Sequence, residues 1–129
     1  MNKLFLIAVA IACSGAVAQE KEIWACQQED GVILKRENSA WKQYGVTPGT
    51  LLLTVDGLLS ERKEGDTITP LTCDKGFFVA CRSPLQNSHI LLDPDTGKMG
   101  MSELYGAVSR SADEIRGSVS VEIFNCTKF

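Results

Sequence analysis

The chain has 129 residues, 13 basic against 16 acidic side chains and a net charge of −3, with 44% hydrophobic residues. Such a mildly acidic chain has no basic cluster to release counterions from a phosphate backbone, so it is not expected to bind nucleic acid. Its length suits one domain with a real core.

The chain opens with MNKLFLIAVAIACSGAVAQ. Lys3, an apolar run from Leu4 to Ala12 and an Ala16-Val17-Ala18 site together have the three-part pattern of a secretory leader, predicting cleavage after Ala18 and a single secreted domain over 19–129. The apolar run falls well short of the ~20 residues a helical membrane span needs. Cys13 sits where a lipoprotein anchor would, but Ala10 stands where such sites carry Leu, so the soluble, periplasmic or secreted form is expected. Of the five cysteines, Cys26, Cys73, Cys81 and Cys126 then remain, an even number that reads as two disulfides in an oxidising compartment.

Beyond the leader no helical period is sustained. Short runs rich in β-branched and aromatic residues alternate with turn signals. KEIWACQQ reads as a strand, with EDG turning into VILKRE and NSA turning into WKQYGV. TPG opens TLLLTVDG, and KEGD precedes TITPLTC. DKG then leads to FFVACRS, PLQNS to HILL, and DPDTG to KMGMSELYGAV. The polar stretch SRSADEIRG precedes a last strand, SVSVEIFNC. SELYGAV has the makings of one helical turn, against which Gly106 argues. The spacing predicts an all-β fold, a small antiparallel barrel or sandwich of about eight strands.

Alternation puts Val119, Val121 and Ile123 on one face of the last strand, with Ser118, Ser120 and Glu122 on the other. Continued unbroken it places Phe124 and Cys126 on the polar face, so a bulge near Ile123 and Phe124 is expected to return them to the core. Four cysteines allow three pairings. Cys26 with Cys126 would join first and last strands, leaving Cys73 with Cys81. A turn at Asp74-Lys75-Gly76, however, places Cys81 about 13 Å along the hairpin from Cys73, at ~3.3 Å per residue. A bridge needs Cα atoms within about 7 Å, so that pair requires a wider loop.

Asp95-Thr96-Gly97 spells the aspartic-protease triplet. Asp93-Pro94 separates it from the apolar strand, and Lys98 would hold a carboxylate ionised where the dyad shares a proton. A turn accounts for every residue: Asp93 caps amides, Pro94 presets φ, and Gly97 supplies positive φ. Asp95 stays a remote candidate for hydrolysis. Asp93 and Asp95 alternate as calcium ligands do, with Glu103 the nearest closing carboxylate, but the remaining oxygens are missing from the pattern. His89 is the only histidine and is expected to open a surface strand. No catalytic set, metal or cofactor is expected. Trp41 and Tyr44, three apart, should face opposite ways and leave one exposed as a partner anchor.

Across IWACQ, ENSAWK, DPDTGKMGMSELYGAV and IFNCTKF the chain resembles a group of short secreted proteobacterial proteins. That resemblance implies a small disulfide-bonded β domain and lends no activity or catalytic residue. In size and compartment the chain is also similar to periplasmic lysozyme inhibitors and small calycin-like barrels, whose diagnostic motifs it does not match. The expected function is a non-enzymatic binding module that engages a protein or cell-envelope partner through loops on a β scaffold. A barrel carrying a small hydrophobic ligand is the alternative.

Overall fold

A computed structural model describes residues 20–83, 87–104 and 118–129. The leader with Cys13 and the polar loop up to residue 117 lie outside the described residues, as do residues 105–108 of the candidate helical turn SELYGAV, whose first two residues, Ser102 and Glu103, belong to a strand instead. Nine strands follow in order: β1 (Glu22–Glu37), β2 (Ala40–Gly45), β3 (Thr50–Val55), β4 (Ser60–Glu64), β5 (Thr67–Lys75), β6 (Val79–Ser83), β7 (Ser88–Leu92), β8 (Lys98–Glu103) and β9 (Ser118–Lys128). They form one antiparallel sheet in the order β2-β1-β3-β4-β5-β6-β7-β8-β9, and β1 also pairs with β9. That pairing closes β1 and β3–β9 into an eight-stranded barrel, with β2 as an extra strand outside it.

β1 does two jobs along one edge. Glu22–Gln27 pair with β3, Val32–Glu37 pair with β2, and the opposite edge runs along β9. The predicted EDG turn is therefore absent. Glu29 is instead the extra residue of a β-bulge between Gln28 and Asp30, which lets one strand bend through the closure without breaking. Asn38 and Ser39 form the expected tight turn, both with positive φ (49° and 65°), as a two-residue hairpin matched to sheet twist requires.

Inward-facing Trp24, Leu51, Leu53, Val55, Leu92, Met99 and Phe124 pack with the Cys26–Cys126 disulfide into the core. Cys26 and Cys126 stand directly opposite each other on β1 and β9, with Cα atoms 4.0 Å apart. Cys73 and Cys81 are likewise bonded cross-strand neighbours. The steric difficulty foreseen for this pair disappears because the turn lies further along than DKG. Lys75 pairs with Val79, so Phe77 is the midpoint of the hairpin.

One strand not read from the sequence and one failed expectation share a reason, the polarity of part of the interior. β4, spelled SERKE, shows no apolar alternation because its inward residues are Ser60 and Arg62. β9 carries no bulge at Ile123. It alternates unbroken, with Ser120, Phe124 and Cys126 buried while Val121 and Ile123 face out. The irregularity that fits it to the barrel lies across the seam, at Glu29.

Adjacent residues test this register. Phe124→Ala should cost about 3–5 kcal/mol in chemical denaturation, as a large core truncation does. Ile123→Ala, on the outer face, should stay within about 1 kcal/mol; equal losses would reverse the faces. Removing Cys26–Cys126, whose closed segment spans 100 residues, should cost about 4–5 kcal/mol. Removing Cys73–Cys81, with a separation of 8, should cost about 2–3 kcal/mol in the chain-entropy picture.

Candidate functional site: an apolar band on the outer wall

With β9 in this register its apolar face belongs to the barrel's exterior. Register then fixes its neighbours, because directly paired residues in antiparallel strands share a face. Ile123 pairs with Gly100, Gly100 with Leu91, and Leu91 with Ala80. The next outward row runs Val32, Val121, Ser102, His89, Arg82. Leu91, Val121 and Ile123 are each about half exposed (51%, 48% and 48%), and Phe78 at the head of β6 is 44% exposed. Beyond Val32 the same face continues through Leu34 and Val119 to Trp41, which pairs with Arg36.

Gly100 gives the band its relief. A Cβ built there meets nothing within 4 Å, so the missing side chain leaves a trough between Leu91 and Ile123. A groove of about 470 Å³ runs past it, lined by Ala80, Leu91, Gly100 and Val121, with Arg82, His89 and Asp74 on its rim. Arg82 and His89 are directly paired and exposed. A second hollow of about 270 Å³ continues from Gly100 between Phe78, Leu91 and Ile123. Another outer groove, about 700 Å³ between β1, β3 and β9, is lined more by Gln27, Thr50, Asn125 and Thr127.

Trp41 and Tyr44 face opposite ways as foreseen, but both are exposed. The physical reason is β2's position: it lies outside the barrel, and β1 is its strand neighbour in the sheet. Tyr44 lies opposite Ile33, on the face that continues the barrel interior. Its hydroxyl donates to Glu37, and Lys35 stands 5.3 Å from its ring centre. The Tyr44 bond, then Lys42 at 2.9 Å, hold the Glu37 carboxyl below its ordinary range. These contacts order the flap on its inner side and leave Trp41 on the outer one.

Asp95 sits in the predicted turn. Its amide donates to Asp93 Oδ1 at 2.9 Å, and the Thr96 hydroxyl donates to Asp93 Oδ2 at 2.8 Å. Those two donors, Thr96 first, lower the Asp93 pKa. Lys98, expected to pin Asp95, binds both oxygens of Glu29 instead, at 3.1 and 3.0 Å. Gly97 has φ +72°, and a Cβ there would stand 2.2 Å from the Cys126 carbonyl oxygen. The backbone of the turn thus packs against the closing strand, and the Cys126 amide donates to the Gly97 carbonyl at 2.7 Å. No group of three or more metal-ligating side chains forms among the described residues.

Inside the barrel, Arg62 is 4% exposed. Its Nη1 donates to Ser88 Oγ at 3.0 Å and its Nη2 to Glu103 at 3.2 Å, while Glu64 lies 3.7 Å from its Nε. Glu122 faces the same interior, and its pKa is raised, first by burial and then by the charges of Glu103 and Glu64 against a lowering by Arg62. The apolar part of the interior holds the core side chains already described, with Phe124, Leu53, Leu92 and Met99 among the most deeply buried.

No protein family, curated protein or solved structure matches the chain.

Sequence reasoning missed the wall because it assigned Val119, Val121 and Ile123 to the core. The signal that pointed the other way was Phe124 and Cys126 on the opposite parity. Two measurements follow. Gly97→Ala should lower stability by about 1–3 kcal/mol through the left-handed backbone, and by more through the clash with Cys126. For Glu122, a folded pKa above the unfolded one means its contribution is fully present below the unfolded value and fades as pH rises through the folded one. Glu122→Gln should therefore raise Tm relative to the native chain at pH 7–8 and lose that advantage near pH 4; an equal shift at both would contradict the assignment.

Proposed function

We propose that this chain is a non-enzymatic binding module of the periplasm or the extracellular space, which holds a segment of a partner protein against the outer wall of β6–β9. The carrying observation is the band of half-exposed Phe78, Leu91, Val121 and Ile123 around the Gly100 trough. Contiguous exposed apolar surface with a polar rim marks interaction sites in soluble proteins. Arg82 and His89 on the rim favour a segment that combines apolar side chains with a carboxylate, and Trp41 at the far end offers an aromatic anchor of the kind that dominates interfaces.

The compartment rests on the leader pattern and on two disulfides, whose presence is compatible with an oxidising extracytoplasmic location. The likeness to short secreted proteobacterial proteins agrees with it. A carrier of small hydrophobic ligands is the weaker reading, since the interior is occupied by Trp24, Phe124 and the Cys26–Cys126 bridge. Hydrolysis through Asp95 is weaker still, because its loop is fully accounted for as a turn.

Gly100 allows the wall to be tested without disturbing the fold. Gly100→Gln fills the trough at a position with open space above it and should leave stability unchanged or slightly raised, by up to about 1 kcal/mol, since glycine weakens a strand. Affinity capture from an envelope extract of the native host should lose its partner with Gly100→Gln, and lose it again with Leu91→Asp. Trp41→Ala together with Tyr44→Ala should weaken capture while the fold stays intact. Capture unchanged by both wall variants would remove the wall from consideration.

A further inference from the structure

The most exposed large apolar side chains among the described residues do not lie on the wall. They are Leu58, Phe77, Phe129 and Leu59, at 94%, 90%, 81% and 78%, while the next, Ile68, is at 53%. All four crown one pole of the barrel. β3 connects to β4 there, β5 to β6, and β9 ends there. Glu22 draws these segments together. It pairs with Val55 at the end of β3, and its carboxylate accepts from Lys75 at 3.3 Å and from Lys128 at 2.9 Å. The Phe129 amide donates to the Ile23 carbonyl at 2.9 Å, tying the C-terminus to the same pole.

Each projection is stiffened from below. Phe77 tops a hairpin whose strands are bonded at Cys73 and Cys81, four residues to either side, and its ring meets Phe78 edge-on with centres 6.0 Å apart. The Leu58-Leu59 connection is held at its base by Ser60, whose hydroxyl donates to the Asp56 carbonyl at 2.8 Å and accepts from the Asp56 amide at 3.0 Å. Rigid apolar tips exposed by more than three quarters lose little conformational entropy on burial. They project from three chain segments, Leu58 and Leu59 side by side and Phe77 and Phe129 singly. A fluid surface closes round each of them, whereas a protein partner would need a matched pocket for every tip.

The chain's own course points to the same occupant. The pole is where residues 1–19 join the barrel, through Glu20 and Lys21, and that segment holds the apolar run Leu4–Ala12. From Ala12 to Lys21 the chain can reach at most about 30 Å, at ~3.3 Å per residue. A leader still embedded in a bilayer would hold this pole within about 30 Å of the membrane, and after the cleavage expected at Ala18 the apolar tips alone would keep it there. We infer that Leu58, Leu59, Phe77 and Phe129 form a lipid-docking crown that inserts into the interfacial layer of a bilayer. Lys75 and Lys128 are paired with Glu22 and Lys98 with Glu29, and Glu20, Asp56, Asp74, Asp93 and Asp95 outnumber Lys21 among the remaining charges at this pole, so attachment rests on apolar insertion and does not require anionic lipid.

Protein purified as its host processes it should co-sediment with phosphatidylcholine vesicles, to the same extent at low and high salt. Leu58→Ser, Leu59→Ser and Phe77→Ser together should weaken that partitioning by at least about tenfold, given the apolar area withdrawn, with an unchanged circular-dichroism spectrum. Val121→Ser with Ile123→Ser, on the wall, should bind vesicles as the native chain does. In a Phe77→Trp variant the emission should shift to the blue on adding vesicles. Native protein left in the supernatant, a triple variant that binds undiminished, or binding that needs phosphatidylglycerol and vanishes in salt would each overturn the crown. Partner capture by the wall is read separately, so either reading falls without the other.

Discussion

The barrel closes through one seam, eleven paired positions between β1 and β9, and parity across that seam decides what every other face of the molecule is for. The Cys26–Cys126 bond sets inward and outward for both strands at once, since directly opposed residues share a face. Glu29 then inserts one residue into β1 alone. Beyond the bulge β1 changes parity while β9 does not. Gly31 and Ile33 replace Trp24 and Cys26 as the inward series, opposite Glu122 and Ser120. A single extra residue thus turns the long first strand out of the barrel and into the hairpin that carries Trp41.

A polar interior follows from that closure. Where β9 presents Ser120 and Glu122 inward, the facing strands supply Arg62, Ser88 and Glu103. A buried guanidinium is costly to desolvate, and its partners offset the cost without turning it into a large net gain. Stability comes from the other half of the barrel, where Trp24, Leu53, Leu92, Met99 and Phe124 surround the closing disulfide. The polar half fixes arrangement: the fork of Arg62 reaches β7 and β8 from β4, spanning the interior between strands that are not sheet neighbours.

Much of this was readable residue by residue. The strand class and the turns at Asn38-Ser39 and Asp93–Gly97 follow from β-branched runs and glycine positions. The cysteine count implies two bridges, but their pairing stays open until strand register sets Cys26 opposite Cys126 and Cys73 opposite Cys81. What escaped sequence reasoning escaped because it relied on apolar alternation. SERKE hid a strand whose inward residue is an arginine. SVSVEIF displayed a clean apolar face that belongs outside. EDG carried a turn's composition but serves as a bulge, and no local pattern distinguishes the two when the residues it bulges against, Ile123 and Phe124, lie at the far end of the chain. The wall is a product of register across four strands, and its one linear trace was the parity of Phe124 and Cys126 against Val121 and Ile123.

The two apolar surfaces are oriented by the same strands. The wall runs along β6–β9 from the flap towards the pole, and the neighbours Phe78 and Phe77 divide between them, one on the wall and one on the crown. With the crown against lipid, the wall stands up from the membrane and a segment bound to it lies beside the bilayer. Both surfaces belong to one closed sheet, and a ligand shifts a conformational equilibrium only as far as it binds the alternatives differently. A barrel braced at Cys26–Cys126 and Cys73–Cys81 has few alternatives to offer. Occupation of wall and crown should then be additive, with the fold acting as a rigid bracket that sets the angle between them.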